Sequence, residues 1–141
     1  MEKLSIRPRE VVKHEFVQDW IAKAEDDLGV ARTLLAQGSR FLGAIAFHAQ
    51  QASEKFVKAF LTHHQIEFPK THSLKELLGL VARVDVQLAG SLRPSDTLSK
   101  FAVETRYPRG PEPETWEEAS AAVALAERVR DEVRKALSGV L

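Results

Sequence analysis

The chain has 141 residues and carries 20 acidic and 20 basic side chains, so its formal net charge at pH 7 is zero. This length fits one domain with a substantial core, and the balanced charge gives no overall field that favours nucleic acid or an anionic membrane as a partner. The chain has no cysteine, which excludes disulfides, thiolate catalysis and cysteine-ligated metal clusters.

The N-terminal segment, residues 1–14, contains Arg7-Pro8-Arg9 and no helical period. We therefore predict a flexible N-terminal arm followed by a single helical-bundle domain over residues 15–141. The segment lacks the apolar core of a signal peptide. No apolar run approaches the roughly 20 residues that cross a bilayer, so we expect a cytoplasmic protein without membrane contact.

Apolar spacing predicts a first helix from about Glu15 to Gln37. Its inward face comprises Trp20, Ala24, Leu28, Ala31 and Leu35. Gly38 suits a left-handed helix cap, and Ser39 is placed to open the next helix.

The second helix is predicted from about Arg40 to His64 and is apolar on two sides. The main stripe comprises Phe41, Ile45, Ala52, Phe56, Ala59 and Phe60, and a second one comprises Phe47, Val57 and Leu61, with Gln50 and Glu54 between them. A helix that is apolar on two sides is usually buried on both. We therefore predict a homodimer whose interface contains Phe47, Gln50, Glu54, Val57 and Leu61.

Capping signals place the remaining helices. Ser73 and Glu76 predict a capping box for a third helix that ends before Gly90, and Pro94 begins a short fourth helix. Residues 106–113 contain three prolines and a glycine, which interrupt any helix. Thr115 and Glu118 predict a second capping box, before a last helix with Ala119, Val123, Ala126, Val129, Val133 and Leu137 inward. The expected fold is all-α, an up-and-down bundle of four to five helices.

Four segments resemble one known family. They are the run Phe47–Leu61 with its paired glutamines, Trp20 to Ala31 before it, Thr71-His72-Ser73-Leu74 after it, and Arg106-Tyr107-Pro108. Together, over about Val17 to Val133, they resemble HEPN domains. The resemblance implies a helical bundle that commonly dimerises and acts with a minimal nucleotidyltransferase, as in pairs of toxin–antitoxin type. Some members are metal-independent ribonucleases.

The nuclease members carry an arginine that is followed a few residues later by a histidine. Arg106 fits the arginine position, but no histidine occurs from Tyr107 to Thr115. An arginine alone can bind a phosphate but is a poor general base at neutral pH. The sequence therefore names no catalytic residue beyond the weak candidates Arg106 and His72, and it predicts that the isolated protein does not cleave RNA.

Asp27 is an acidic residue within the apolar stripe of the first helix. A carboxylate in that position needs a cation or several donors. On the second helix, His48, Gln51 and Lys55 follow one edge of the main stripe at steps of three and four, and Arg106 and Tyr107 follow the fourth helix. These residues are predicted to converge, either as an ion pair that fixes helix register or as a site for a phosphate or nucleotide.

The sequence favours no metal site, since His63 and His64 point about 100° apart on a helix. No two histidines stand at i, i+4 with a carboxylate between them, and the Glu-x-x-His pair of di-iron bundles is absent. We expect neither a metal nor another cofactor. The function that the sequence favours is a nucleotide-binding interaction module, partner of a minimal nucleotidyltransferase. Two alternatives stay open: a metal-independent endoribonuclease of toxin type, and a structural homodimer without a ligand.

Overall fold

The computed structural model of the chain describes residues 9–102, 113 and 115–141. Its helices are α1 (Arg9–Ala36), α2 (Leu42–His63), α3 (Leu74–Val81), α4 (Val86–Leu92), a 3₁₀ helix (Arg93–Phe101) and α5 (Trp116–Ala136). No strand occurs in these residues, which confirms the all-α fold. None of the described helices combines the length and apolar character that a bilayer crossing requires.

α2 is the central element of the bundle. Fourteen of its 22 residues are buried, and its most extensive contacts are with α1 and α5, while α3 and the 3₁₀ helix pack against it as well. The inward residues predicted for α5 are all buried. The core therefore forms on several sides of α2 within one chain.

The second apolar side of α2, from which the dimer interface was predicted, packs within the same chain. Val57 and Leu61 are fully buried, Gln50 is 0% exposed and Glu54 is 4% exposed, and only Phe47 of the five candidates is partly exposed. The chain itself covers this side of α2, so its apolar character does not require a second copy. The oligomeric state itself stays a prediction.

The boundaries of α1 and α3 differ from those expected. α1 begins at Arg9 rather than near Glu15, because its first two turns are largely exposed and carry no apolar stripe that the sequence pattern could reveal. The single third helix is two helices, since Asp85 caps α4 by accepting a hydrogen bond from the Leu88 amide at 2.9 Å. Residues 1–8 lie outside the described residues.

Most caps and turns agree with the local sequence. The capping box predicted at Ser73 is only half formed, because the Ser73 hydroxyl accepts from the Glu76 amide but the Ser73 amide donates to Thr71 Oγ1. Gly38 has a φ of +65°, which confirms the left-handed cap, and Ser39 accepts a hydrogen bond from the Phe41 amide just before α2. Thr115 and Glu118 form both halves of a capping box. The short fourth helix that was predicted from Pro94 is the 3₁₀ helix, and its Leu98 and Phe101 are buried.

Candidate functional site

Asp27 of α1 lies between two basic side chains of α2. The Asp27 side chain is 14% exposed, its Oδ1 lies 2.9 Å from His48 Nδ1, and its Oδ2 accepts a hydrogen bond from Lys55 Nζ. His48 and Lys55 are two helical turns apart, so they share one face and reach the same carboxylate from both sides. The predicted convergence of Asp27, His48 and Lys55 is therefore present; we call these three residues, with Gln51, the Asp27 cluster.

Some polar atoms of the Asp27 cluster have no partner among the described residues and could bind a ligand. A carboxylate only accepts hydrogen bonds, so the ring hydrogen of His48 is assigned to Nδ1, which leaves Nε2 without a partner among the described residues. His48 is 30% exposed and Lys55 is 23% exposed. Lys55 has three N–H donors, and the described residues occupy one of them.

Gln51 follows His48 by three residues and lies on the same face of α2. Its Nε2 donates to Gln50 Oε1 at 2.6 Å, and no hydrogen bond joins it to Asp27. Arg106 and Tyr107, the other members of the predicted site, lie outside the described residues.

The charges of the Asp27 cluster depend on the protonation of His48. The Lys55 ammonium and the Asp27 carboxylate cancel, so the cluster is neutral with a neutral imidazole and carries one positive charge with an imidazolium. With free N–H donors on Lys55, and with Nε2 of His48 as a further donor when the ring is an imidazolium, it can bind an oxyanion such as a phosphate.

A second polar network, centred on Glu54, was not predicted. Glu54 accepts hydrogen bonds from Gln50 at 2.9 Å and Lys58 at 2.7 Å, and its Oε2 lies 3.0 Å from His72 Nδ1. Burial opposes ionisation of Glu54, but these donors outweigh that effect and lower the pKa of its carboxyl group below its usual value. Glu54 is therefore ionised at neutral pH.

Lys58 belongs to the Glu54 network, and its ammonium group lies beside two aromatic rings. Its Nζ lies 5.5 Å from the ring centroids of Trp20 and Phe68, a distance at which the ring faces attract a cation. A sequence signal for the pair existed, because Glu54 and Lys58 are four residues apart on a helix. The burial of both side chains depends on tertiary packing and was not readable from that spacing.

His72, the second weak catalytic candidate, belongs to the Glu54 network and not to the Asp27 cluster. Its side chain is 59% exposed, and the Gln50 side chain also donates to its backbone oxygen at 3.4 Å. His72 therefore ties the segment between α2 and α3 to the middle of α2.

The other histidines provide no alternative site. His63 and His64 contact each other edge-on, with ring centroids 4.8 Å apart. Burial lowers the pKa of both rings, and the neighbouring Lys13 lowers it further. Within the described ranges, no three histidine, aspartate or glutamate residues lie close enough to hold a metal ion.

Comparisons with known proteins point to one family. The family model of the HEPN domain matches residues 17–136. The structure is similar to an archaeal HEPN homologue, ST0689, with 28% identity, a TM-score of 0.67 and coverage of 86% of this chain and 97% of that one. It is also similar to TT1696 from Thermus thermophilus, with 29% identity, a TM-score of 0.66 and coverage of 84% of this chain and 96% of that one. A comparison with curated proteins gave no match.

Proposed function

Because the chain belongs to the HEPN domain family, we propose that it is a cytoplasmic nucleotide-binding interaction module and a partner of a minimal nucleotidyltransferase. The observation that supports this proposal is the row of His48, Gln51 and Lys55 on one face of α2. Two of the three share a part-buried counter-charge, Asp27, and keep polar atoms that no described residue occupies. A phosphate can accept hydrogen bonds from the free N–H groups of Lys55, and from His48 when its ring is an imidazolium.

The role of Asp27 in this proposal is to position the two basic side chains. It holds the rotamers of His48 and Lys55 without a ligand, so less side-chain freedom is lost on binding. Arg106 and Tyr107, carried over from the resemblance, are the further candidates for contact with the nucleotide.

A thermal-shift experiment tests nucleotide binding. The purified chain is melted with AMP, ATP, GTP and cyclic AMP, each in excess, and we expect at least one to raise Tm, since a ligand that binds only the folded state stabilises it. Arg106→Ala should abolish that rise while changing the Tm of the free protein little. Lys55→Gln should also abolish it, with a modest loss of Tm, because the ion pair with Asp27 is lost. Lys23→Gln, an exposed change on α1, is the control that should retain it.

Failure of all four nucleotides to raise Tm contradicts the nucleotide proposal and favours the structural homodimer. The partner is tested separately. A minimal nucleotidyltransferase encoded beside this gene should form a complex of defined stoichiometry with the chain in light scattering. Two proteins that elute apart at micromolar concentration contradict a stable pair.

One observation favours the endoribonuclease as a second candidate. His48 Nδ1 is held by Asp27 at 2.9 Å, which leaves Nε2 as a proton acceptor, the arrangement that a general base needs. In this reaction Nε2 of His48 takes the proton of an RNA 2′-hydroxyl, and the oxygen of that hydroxyl attacks the adjacent phosphorus. The departing 5′-oxygen then takes that proton from the imidazolium. This candidate rests on His48 as the base, since no histidine occurs from Tyr107 to Thr115 after Arg106.

Labelled RNA without metal tests this second candidate. Cleavage that leaves a 2′,3′-cyclic phosphate and disappears in His48→Gln would establish it, provided that a 2′-deoxy substrate stays intact. Intact RNA after prolonged incubation would support the non-catalytic module.

A further inference from the structure

We propose that the Asp27 cluster binds its phosphate together with a proton, which His48 takes up, so that nucleotide affinity falls as pH rises through the neutral range. This inference rests on the proposed function, because it needs a phosphate beside His48. It adds the protonation state of the site and the sign of its pH dependence.

The two nitrogens of the His48 ring have different roles. The Nδ1–H of His48 is committed to Asp27 at 2.9 Å, while Nε2 has no partner among the described residues in a side chain that is 30% exposed. A neutral imidazole carries one hydrogen, so with Nδ1 protonated its Nε2 can only accept. A phosphate oxygen also only accepts, and therefore repels that lone pair. His48 donates to both anions only as an imidazolium.

The charges around the His48 ring also favour proton uptake when a phosphate binds. Asp27 reaches His48 from α1, and Lys55 reaches the same carboxylate from α2. Among the described residues, no other charged side chain forms a hydrogen bond or ion pair with His48; its ring contact is the edge of Phe47, with centroids 5.4 Å apart. Lys55 already neutralises Asp27 in the free cluster. A bound phosphate adds a negative charge and favours the imidazolium.

Thermodynamic linkage then fixes the sign of the pH dependence of the affinity. If binding takes up a proton, raising the proton concentration strengthens binding, and raising pH weakens it. One site of this kind gives at most a tenfold loss of affinity per pH unit.

The probe is cyclic AMP, whose phosphodiester keeps a single negative charge over this pH range, so that the ligand does not titrate. Its Kd is measured by calorimetry from about pH 5.5 to about pH 8.5. We expect Kd to rise by roughly tenfold across this range. At one pH, the apparent binding enthalpy should change with the ionisation enthalpy of the buffer, which reports proton uptake by the unmodified chain.

His48→Gln keeps a donor for Asp27 but cannot become charged, and it should bind with a flat pH profile. The matched control is His72→Gln, because His72 also directs Nδ1 to a carboxylate, at 3.0 Å, but lies in the Glu54 network. That variant should keep the profile of the unmodified chain. Adenosine, which lacks a phosphate, and sulfate, which lacks a base, separate the two parts of the ligand; only sulfate should share the pH dependence.

The outcomes separate the two proposals. If none of AMP, ATP, GTP and cyclic AMP binds, the proposed function is wrong. Binding of cyclic AMP with a flat profile, or with a slope that His48→Gln leaves unchanged, overturns the proton uptake and leaves nucleotide binding in place. A binding enthalpy that does not change with the buffer also overturns the proton uptake, and this measurement needs no variant.

Discussion

Glu54 and Lys58 form an ion pair of 2.7 Å, one turn apart on α2, and their side chains are only 5% and 11% exposed. Removal of two charges from water costs several kcal/mol per ion unless each is fully satisfied. Gln50 and His72 supply further hydrogen bonds to Glu54, and the rings of Trp20 and Phe68 flank Lys58. The pair is stable inside the bundle because these hydrogen bonds and ring contacts replace the water around both ions.

The first prediction is that Glu54 contributes stability at neutral pH that is lost in acid. Its folded pKa is lowered below the ordinary value of 4.5. A depressed folded pKa gives stability that is present above the unfolded pKa and is lost as pH falls through the folded pKa. Urea unfolding between about pH 7 and about pH 3 should show a steeper acid loss for the unmodified chain than for Glu54→Gln. Parallel pH profiles would contradict this prediction.

The second prediction concerns the size of the Glu54 contribution. Glu54→Ala leaves the ammonium of Lys58 buried without a counter-charge, and we expect a loss of about 3–5 kcal/mol in the free energy of unfolding. The control is Glu127→Ala, which breaks the surface pair with Arg32, whose side chains are 41% and 44% exposed. It should cost below about 1 kcal/mol. Equal losses in the two variants would show that burial gives the Glu54 pair no special weight.

The third prediction addresses the Asp27 cluster as a structural element. Asp27→Ala removes the partner of two part-exposed bases, and we expect a loss of about 1.5–3 kcal/mol. The exposed neighbour Asp26 provides the control, because Asp26→Ala should stay within about 0.5 kcal/mol of the unmodified chain. In a double-mutant cycle, Asp27→Ala and Lys55→Ala should be less than additive by at least about 0.5 kcal/mol. Strict additivity would mean that the contact carries no coupling.

The fourth prediction separates two capping signatures that look alike in the sequence. At Thr115 both bonds of the capping box form, so Glu118→Ala removes the hydrogen bond to the Thr115 amide and should cost about 0.5–1.5 kcal/mol. At Ser73 the hydroxyl accepts from the Glu76 amide, but the Ser73 amide donates to Thr71 Oγ1 at 3.0 Å instead. Glu76→Ala should therefore be nearly neutral, as measured by urea unfolding. A loss for Glu76→Ala as large as that for Glu118→Ala would show that the two caps are equivalent.

The fifth prediction is that the chain is a homodimer, tested by light scattering at micromolar concentration. Phe47 is the one candidate interface residue that is partly exposed, so Phe47→Glu is the variant that should halve the measured mass. Leu61→Glu should instead unfold the chain, because Leu61 is 0% exposed. An unmodified chain that is monomeric at every concentration contradicts dimerisation.

Local patterns account for what the sequence predicted correctly. The stripes of α1 and α5, the caps at Gly38 and Thr115, and the contact of Asp27 with His48 and Lys55 all depend on spacing within one helix or on one anomalous residue in a stripe. The second side of α2 depends on which distant segment covers it. Spacing alone carries no information about that choice, so the burial of Val57 and Leu61 by the chain itself was missed.

The ionised carboxylate of Glu54 also sets the direction of a row of amides. Glu54 only accepts, so Gln50 must present its nitrogen, and the Gln50 oxygen then receives the nitrogen of Gln51 at 2.6 Å. Rotation of the Gln51 amide would place two oxygens against each other. The buried Glu54 carboxylate thus fixes, through Gln50, the orientation of the part-buried Gln51 amide, so the interior of the bundle sets the polarity of one member of the Asp27 cluster.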